Sequence, residues 1–345
     1  MLDVWPELPI VISAYMSQPQ GPSHGVTNIV AALGQRNRVC LRSIPNSLLE
    51  HVAAMKEPFP ALTDLELWSS HGEDGPVLPD SFLGGVAPRL KHDFWDIPFP
   101  GLGKLLLSTD SLVYLHLWDI PHSGYISPEA LVNSLVALSR LKELSLGFRS
   151  PWRRADRESR RPPPLTRVVL PTLTSLMFEG ECEYLEDIVS RIDAPLLDNS
   201  TMTFFNQLIF DTPLLRHFIS RTGTFEAPHR AYVAFSDDRV TVTLFGRKGT
   251  ADHEVLQLGI SCRASDWQVS SLSQICSSSL PPFVTFKRLD IRNMRQNWQD
   301  DMENEQWLEL LQPFTSVKDL ALSRQWVRRV APALRELAGE RTTEV

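Results

Sequence analysis

The chain has 345 residues, of which 43% are hydrophobic and 22% charged, a balance too apolar for a disordered polypeptide. With 34 Lys and Arg against 41 Asp and Glu the net charge is −7, which excludes a generic nucleic-acid binder, because neutralising phosphates needs a basic surface. The 26 prolines outnumber the 17 glycines, which excludes a fold made of a few long helices.

The first segment, MLDVWPELPIVISAY, lacks a basic n-region and is interrupted by Pro6, Glu7 and Pro9, so it does not read as a signal peptide. Pro6, Pro9, Pro19 and Pro22 also argue against a helical bundle over residues 1–23. No run of about 18 apolar residues occurs anywhere, so no membrane span and no membrane partner are expected. Cys40, Cys182, Cys262 and Cys276 show no CxxC or CxH pairing, which points away from a disulfide framework or zinc site. The expected compartment is reducing, cytoplasmic or nuclear. Cys40 follows Arg38 and Val39 in a strand-like run and reads as a small buried residue.

An internal repeat organises the rest. The pattern L-x-x-L-x-L, or a close variant, occurs in PALTDLELW (60–68), DSLVYLHLWDI (110–120), LSRLKELSLGF (138–148), LPTLTSLMFEG (170–180), FKRLDIRNM (286–294) and FTSVKDLALS (314–323). Weaker copies begin at Leu90 (87–97) and Leu196 (194–204); the first puts Asp93 where an anchor belongs and looks a residue short. First anchors are spaced 28 residues from Leu62 to Leu90, then 22 to Leu112, 29 to Leu141, 32 to Leu173 and 23 to Leu196, close to a leucine-rich period. The alternation after each first anchor is period two, the mark of a short strand with one buried face.

Between these strands lie segments with helical spacing. SPEALVNSLVAL (127–138) offers Ser127 as N-cap, Pro128 at N1 and Glu129 in the first turn. CEYLEDIVSRI (182–192) places Leu185, Ile188, Val189 and Ile192 on one stripe, and 212–222 and 304–314 read alike. The acids of DDMENE (300–305) cap the last of these. Cys262 and Cys276 flank another helix-like segment. The unit is strand, turn, helix. The expected class is α/β: a leucine-rich-repeat-like curved solenoid, parallel strands on its concave face and helices on its convex face, formed by residues 1–345 as one domain.

Two regions depart from the repeat. Residues 149–167 hold seven arginines, two acids and Pro162-Pro163-Pro164, and read as an exposed, extended insertion kept open by charge and proline. AYVAFSDDRVTVTLFGR (231–247) alternates on either side of Ser236-Asp237-Asp238, a hairpin signal, with a further strand at 255–262.

No phosphate loop of the GxxxxGK[ST] or GxGxxG type is present, no metal-ligand spacing is found, and no catalytic group, metal or cofactor is expected. His116 reads as an exposed strand residue. The residues between anchors point away from the core and make the candidate protein-binding face. They are Asp64, Glu66 and Trp68; Tyr114, His116 and Trp118; Glu143 and Ser145; and Ser175, Met177 and Glu179. Later copies add Arg288, Asp290, Arg292 and Asp319. The acids favour a basic protein partner. Trp68 and Trp118 have two readings, as binding anchors or as packing between repeats.

Several long strings resemble the fungal (basidiomycete-type) F-box proteins with degenerate leucine-rich repeats. They include DVWPELPIVI (3–12), PFPALTDLELW (58–68), LWDIPHSGYISPEALV (117–132), DRESRRPPPLTR (156–167), EYLEDIVSRIDAPLLDN (183–199), TFFNQLIFDTP (203–213) and NEQWLELLQPF (304–314). In that family an N-terminal F-box recruits the adaptor of a cullin-RING ubiquitin ligase, and the repeats select substrates. The chain begins almost at DVWPELPIVI, so it is expected to be the repeat region without the F-box, binding the adaptor only if an F-box is supplied elsewhere. The resemblance implies a non-enzymatic substrate-recognition scaffold. The alternatives are a free-standing interaction or decoy repeat protein unconnected to ubiquitin, and a truncated functionless copy.

Overall fold

The structure, a computed structural model, describes residues 10–13, 38–44, 63–69, 89–96, 111–151, 166–207, 210–225, 228–248, 251–262, 265–280, 286–294, 303–314 and 316–340. The fold is α/β with a mostly parallel, mixed sheet. Its contacts group into two compact units: Met1–Met177 with Arg191–Leu196, and Phe178–Ser190 with Leu197–Val345. Of the Arg/Pro-rich stretch 149–167, residues 152–165 lie outside the described residues.

In the first unit six strands follow one another in chain order and pair in parallel: β1 (Ile10–Ser13), β2 (Arg38–Ile44), β3 (Asp64–Ser69), β4 (His92–Asp96), β5 (Tyr114–Ile120) and β6 (Glu143–Phe148). The repeat fixes their register. Leu65, Asp93, Leu115 and Leu144 stand side by side on β3 to β6, and Leu67, Trp95, Leu117 and Leu146 form the next row. The copy at 87–97 therefore keeps the full anchor spacing and is not a residue short; Asp93 occupies the anchor register itself. Leu112, Leu115, Leu141 and Leu144 are at most 1% exposed, the burial expected of anchors.

The residue after each first anchor joins the strands before they formally begin. The amide of Lys91 donates to the Thr63 carbonyl at 2.8 Å, Val113 to Lys91 at 2.9 Å, Lys142 to Val113 at 2.8 Å and Thr174 to Lys142 at 2.8 Å. This last bond sets the start of β8 (Ser175–Gly180) beside β6. Two short strands, β7 (Val168–Val169) and β9 (Ile192–Asp193), pair separately. Helix α1 (Pro128–Leu135) begins as its sequence indicates: Ser127 Oγ accepts the Ala130 amide at 3.2 Å, and Leu131, Val132 and Leu135 are buried.

The second unit contains α2 (Cys182–Arg191), β10 (Asn199–Phe205), α3 (Pro213–Arg221), β11 (Arg230–Phe235), β12 (Arg239–Lys248) and β13 (Ala251–Ser261). It continues with α4 (Ser265–Ser279), β14 (Arg288–Asn293), α5 (Asn304–Leu311), β15 (Asp319–Leu322) and α6 (Val327–Glu340). The strand order is β10-β13-β12-β11-β14-β15. The hairpin expected about Ser236-Asp237-Asp238 forms, with the Ser236 amide on the Arg239 carbonyl at 2.8 Å. It makes β12 antiparallel to both neighbours, so an all-parallel sheet is corrected to a mixed one, while β10/β13, β11/β14 and β14/β15 remain parallel. The lead-in bonds recur here: the Lys287 amide donates to His229 and the Lys318 amide to Lys287.

Further local readings change. Leu196 is 59% exposed and Leu197 fully buried, so the copy at 194–204 is anchored one residue later, with buried Ser200, Met202 and Phe204 following it. Adjacent leucines made the register ambiguous, and a one-residue slip inverts the faces of a strand. Cys276 lies inside α4 rather than after it. Helices α3 to α6 pack each on the next in chain order.

Candidate recognition face

The repeat dictates what β5 and β6 present. Their anchors point into the core, and the alternate residues occupy the opposite face. There Tyr114, His116 and Trp118 on β5 are half-buried, as is Glu143 on β6. Tyr114 stands opposite Glu143, and His116 opposite Ser145. Asp64 is in register with His92, and His92 with Tyr114, so Asp64, Tyr114 and Glu143 share one cross-strand row. Glu66 and His116 share the next through Phe94. The side chains of Glu66 and Trp68 lie outside the described residues. Glu179 is half-buried on the part of β8 that belongs to the second unit.

Local bonds hold this row. His116 Nε2 lies 3.5 Å from Glu143 Oε2, and Thr63 Oγ1 donates to Asp64 Oδ2 at 2.6 Å. His116 is thus half-buried beside a carboxylate rather than freely exposed. Trp118 takes the packing reading: a Cβ placed on Gly147 would lie 2.5 Å from Trp118 Cζ3 and 3.1 Å from Cδ2. Only glycine leaves room for the indole on β6. Register shifts at this point, between Leu117 and Ile120, and Asp119 takes a φ of 53°. Aspartate tolerates that left-handed geometry better than most residues, and Arg149 Nη2 bonds its Oδ2 at 2.5 Å.

In the second unit the equivalent face carries a charged cluster. Asp290 on β14 is fully buried. It accepts Arg288 Nε at 3.0 Å, Arg288 Nη2 at 2.9 Å and Arg230 Nε at 2.7 Å. Arg230 continues to Asp252 at 3.2 Å, which also meets His229 Nε2 at 3.0 Å, and its guanidinium lies 5.3 Å from the Phe245 ring centroid. Arg288 and Asp290 were visible in the repeat; Arg230 and Asp252 were not, because they lie on β11 and β13, outside it. Burial pushes the Asp290 carboxyl upward, but the hydrogen bonds and charges of Arg288 and Arg230 outweigh it and hold the group below the usual aspartate range. Hydrogen bonding from Arg230 chiefly does the same for Asp252, while burial raises Glu254.

A depressed carboxyl contributes stability that is fully present above the unfolded pKa and lost as pH falls through the folded one. Asp290→Asn should therefore cost about 1–3 kcal/mol near pH 7, and the gap to wild type should narrow as pH drops below about 4. Glu254 acts in the opposite sense, so the difference between the two proteins, followed by urea unfolding from pH 7 to pH 3, is the readout. A gap independent of pH would separate the cluster's effect from the Asp290 charge.

Cys276 is pushed up to about 12 by burial, and Cys182 is raised by burial and by Glu183, which favours the protonated thiol at both. Among the described residues no group of three or more His, Cys, Asp or Glu is placed to hold a metal ion, and no helix is long and apolar enough to cross a membrane. No protein-family model matches the chain, and no curated protein matches it significantly.

Proposed function

We propose that the chain is a non-enzymatic protein-recognition scaffold: a degenerate leucine-rich-repeat solenoid resembling the substrate-selecting repeats of a ubiquitin-ligase F-box protein. The observation that carries this reading is the register of β3 to β6, in which buried anchors alternate with a row holding Asp64, Tyr114 and Glu143. Side chains fixed on adjacent hydrogen-bonded strands lose little further freedom on binding, which favours recognition by complementarity. Asp64 and Glu143 favour a basic partner. Of Tyr114 and Trp118, Tyr114 is taken as the anchor, because the Trp118 indole is committed to Gly147.

The test is affinity capture from the source organism with wild type and with the Tyr114→Ala/Glu143→Gln variant, alongside binding of the purified ubiquitin-ligase adaptor. Partners recovered by wild type should be lost from the variant while its melting temperature holds, with Tyr114→Ala costing about 1–4 kcal/mol of affinity. The adaptor should not bind the purified chain. An unchanged partner set would remove this face from recognition, and retention of the adaptor would remove the reading of the chain as repeats alone.

A further inference from the structure

The last strand–helix pair of the second unit is less covered than those before it. On β14 the anchors Leu289 and Ile291 are buried, but their register partners Leu320 and Leu322 on β15 are half-exposed. Among the described residues β15 pairs with β14 alone. Helix α6 shows the same deficit. It meets α5 through Glu336, whose Oε2 accepts Asn304 Nδ2 at 3.0 Å, and Trp326, just before its first turn, lies 5.4 Å from Trp307.

Round the helix from that side come buried Ala333 and Val330, then Leu334 and Val327, which are 37% and 51% exposed. Ala331 and Ala338 follow at the spacing of one helical face, and Arg335 and Arg328 form its far border. Arg324, Arg328 and Arg335 are exposed and meet no carboxylate among the described residues. From Arg324 to Arg335 the sequence holds four arginines and no acid, in a chain whose net charge is −7.

We propose that this outer flank of α6 is a docking surface for an acidic amphipathic helix of another protein. Three features select that occupant. Helices α3 to α6 already stack in succession, so a helix on the flank continues the packing of the unit. Ala331 and Ala338 permit close approach, and Val327 and Leu334 supply apolar contact. The exposed arginines complement acids bordering the partner's apolar stripe. A polyanion such as nucleic acid fits less well, because the stripe has no aromatic side chain on which a base could stack. The inference does not depend on the F-box reading, since it concerns α6 alone.

The probe is a dye-labelled synthetic helix with leucines at i, i+3, i+4 and i+7 and glutamates on both borders, followed by fluorescence anisotropy with the full chain. It should bind wild type and bind about tenfold more weakly to V327D/L334D and to R324Q/R328Q/R335Q, the latter at exposed positions that should leave the thermal midpoint unchanged. A scrambled peptide of the same composition, a lysine-for-glutamate version, duplex DNA and phosphatidylserine vesicles should bind far less. Equal binding of the scramble, DNA or vesicles would overturn the proposal in favour of non-specific or non-protein anion binding. No binding of the acidic helix, or equal binding by the variants, would overturn it too. So would sedimentation showing a dimer of the chain that V327D/L334D dissociates, since the flank would then belong to a second copy.

Discussion

Leu144→Ala should lower the free energy of unfolding by about 2–5 kcal/mol, the range for deleting a buried leucine side chain. Leu144 is fully buried in the middle of β6 and stands in register with Leu115, itself fully buried on β5. Both strands are held by ladder hydrogen bonds that begin one residue after each first anchor, so the backbone cannot close on the cavity without breaking them. Leu176, 1% exposed on β8, should respond alike. The control is Val136→Ala, at a site 60% exposed, which should change stability by less than about 0.5 kcal/mol. If chemical denaturation gives Leu144→Ala a loss no larger than that control, the L-x-x-L-x-L anchors are not what holds the unit.

The anchors were legible because the repeat states the same fact many times. Leu112, Leu141 and Leu173 all precede a strand by the same interval, and the helix after β5 announces itself through Ser127 and Pro128. Four kinds of feature stayed hidden. Where two anchor-like residues adjoin, as at Leu196 and Leu197, the pattern does not choose between them and burial does. Where polar residues are buried, period fails altogether. Helix α4 carries Ser271, Ser273 and Ser279 in its buried surface, satisfied by Asn206 Oδ1, the Glu309 carbonyl and Thr212 Oγ1. A serine run of that kind adds nothing to an apolar stripe, so the segment reads from sequence as helix-like without showing that this face is buried.

Long-range contacts were the third hidden kind. Nothing in the local pattern places Trp118 on Gly147, or joins Arg230 to Asp290 across 60 positions of chain. β5 alternates as its sequence indicates, but Ser145 and Asp290 are buried, and the partition of the row into packing, ion-pairing and exposed side chains was not legible. Helix α6 was missed for a different reason. Pro332 lies inside it and its arginines dilute the apolar stripe, so only the buried set Trp326, Val330 and Ala333 identifies its inner face.

Glu186 shows how one such contact governs a helix, and Glu186→Ala should cost about 2–4 kcal/mol. Helix α3 opens on Pro213, so Leu214 and Leu215 supply amides at its first turn that no helical carbonyl can accept. The N-cap, Thr212, does not satisfy them, because its Oγ1 is engaged with Ser278 Oγ at 2.9 Å and Ser279 Oγ at 2.6 Å. The work falls to Glu186 on α2, 4% exposed, whose Oε2 accepts the Leu214 amide at 3.0 Å and whose Oε1 accepts that of Leu215 at 2.5 Å. Removing the side chain strands two donors away from water, each costing about 1–3 kcal/mol. Glu186→Gln should cost less, about 1–2 kcal/mol, since one oxygen remains while the new amide group faces a donor. The readout is equilibrium unfolding together with hydrogen exchange of Leu214 and Leu215. In Glu186→Ala their exchange should accelerate ahead of the interior of α3, as the first turn frays. If exchange there is unaltered and stability falls by less than about 0.5 kcal/mol, water has taken the place of the carboxyl and the cap is dispensable.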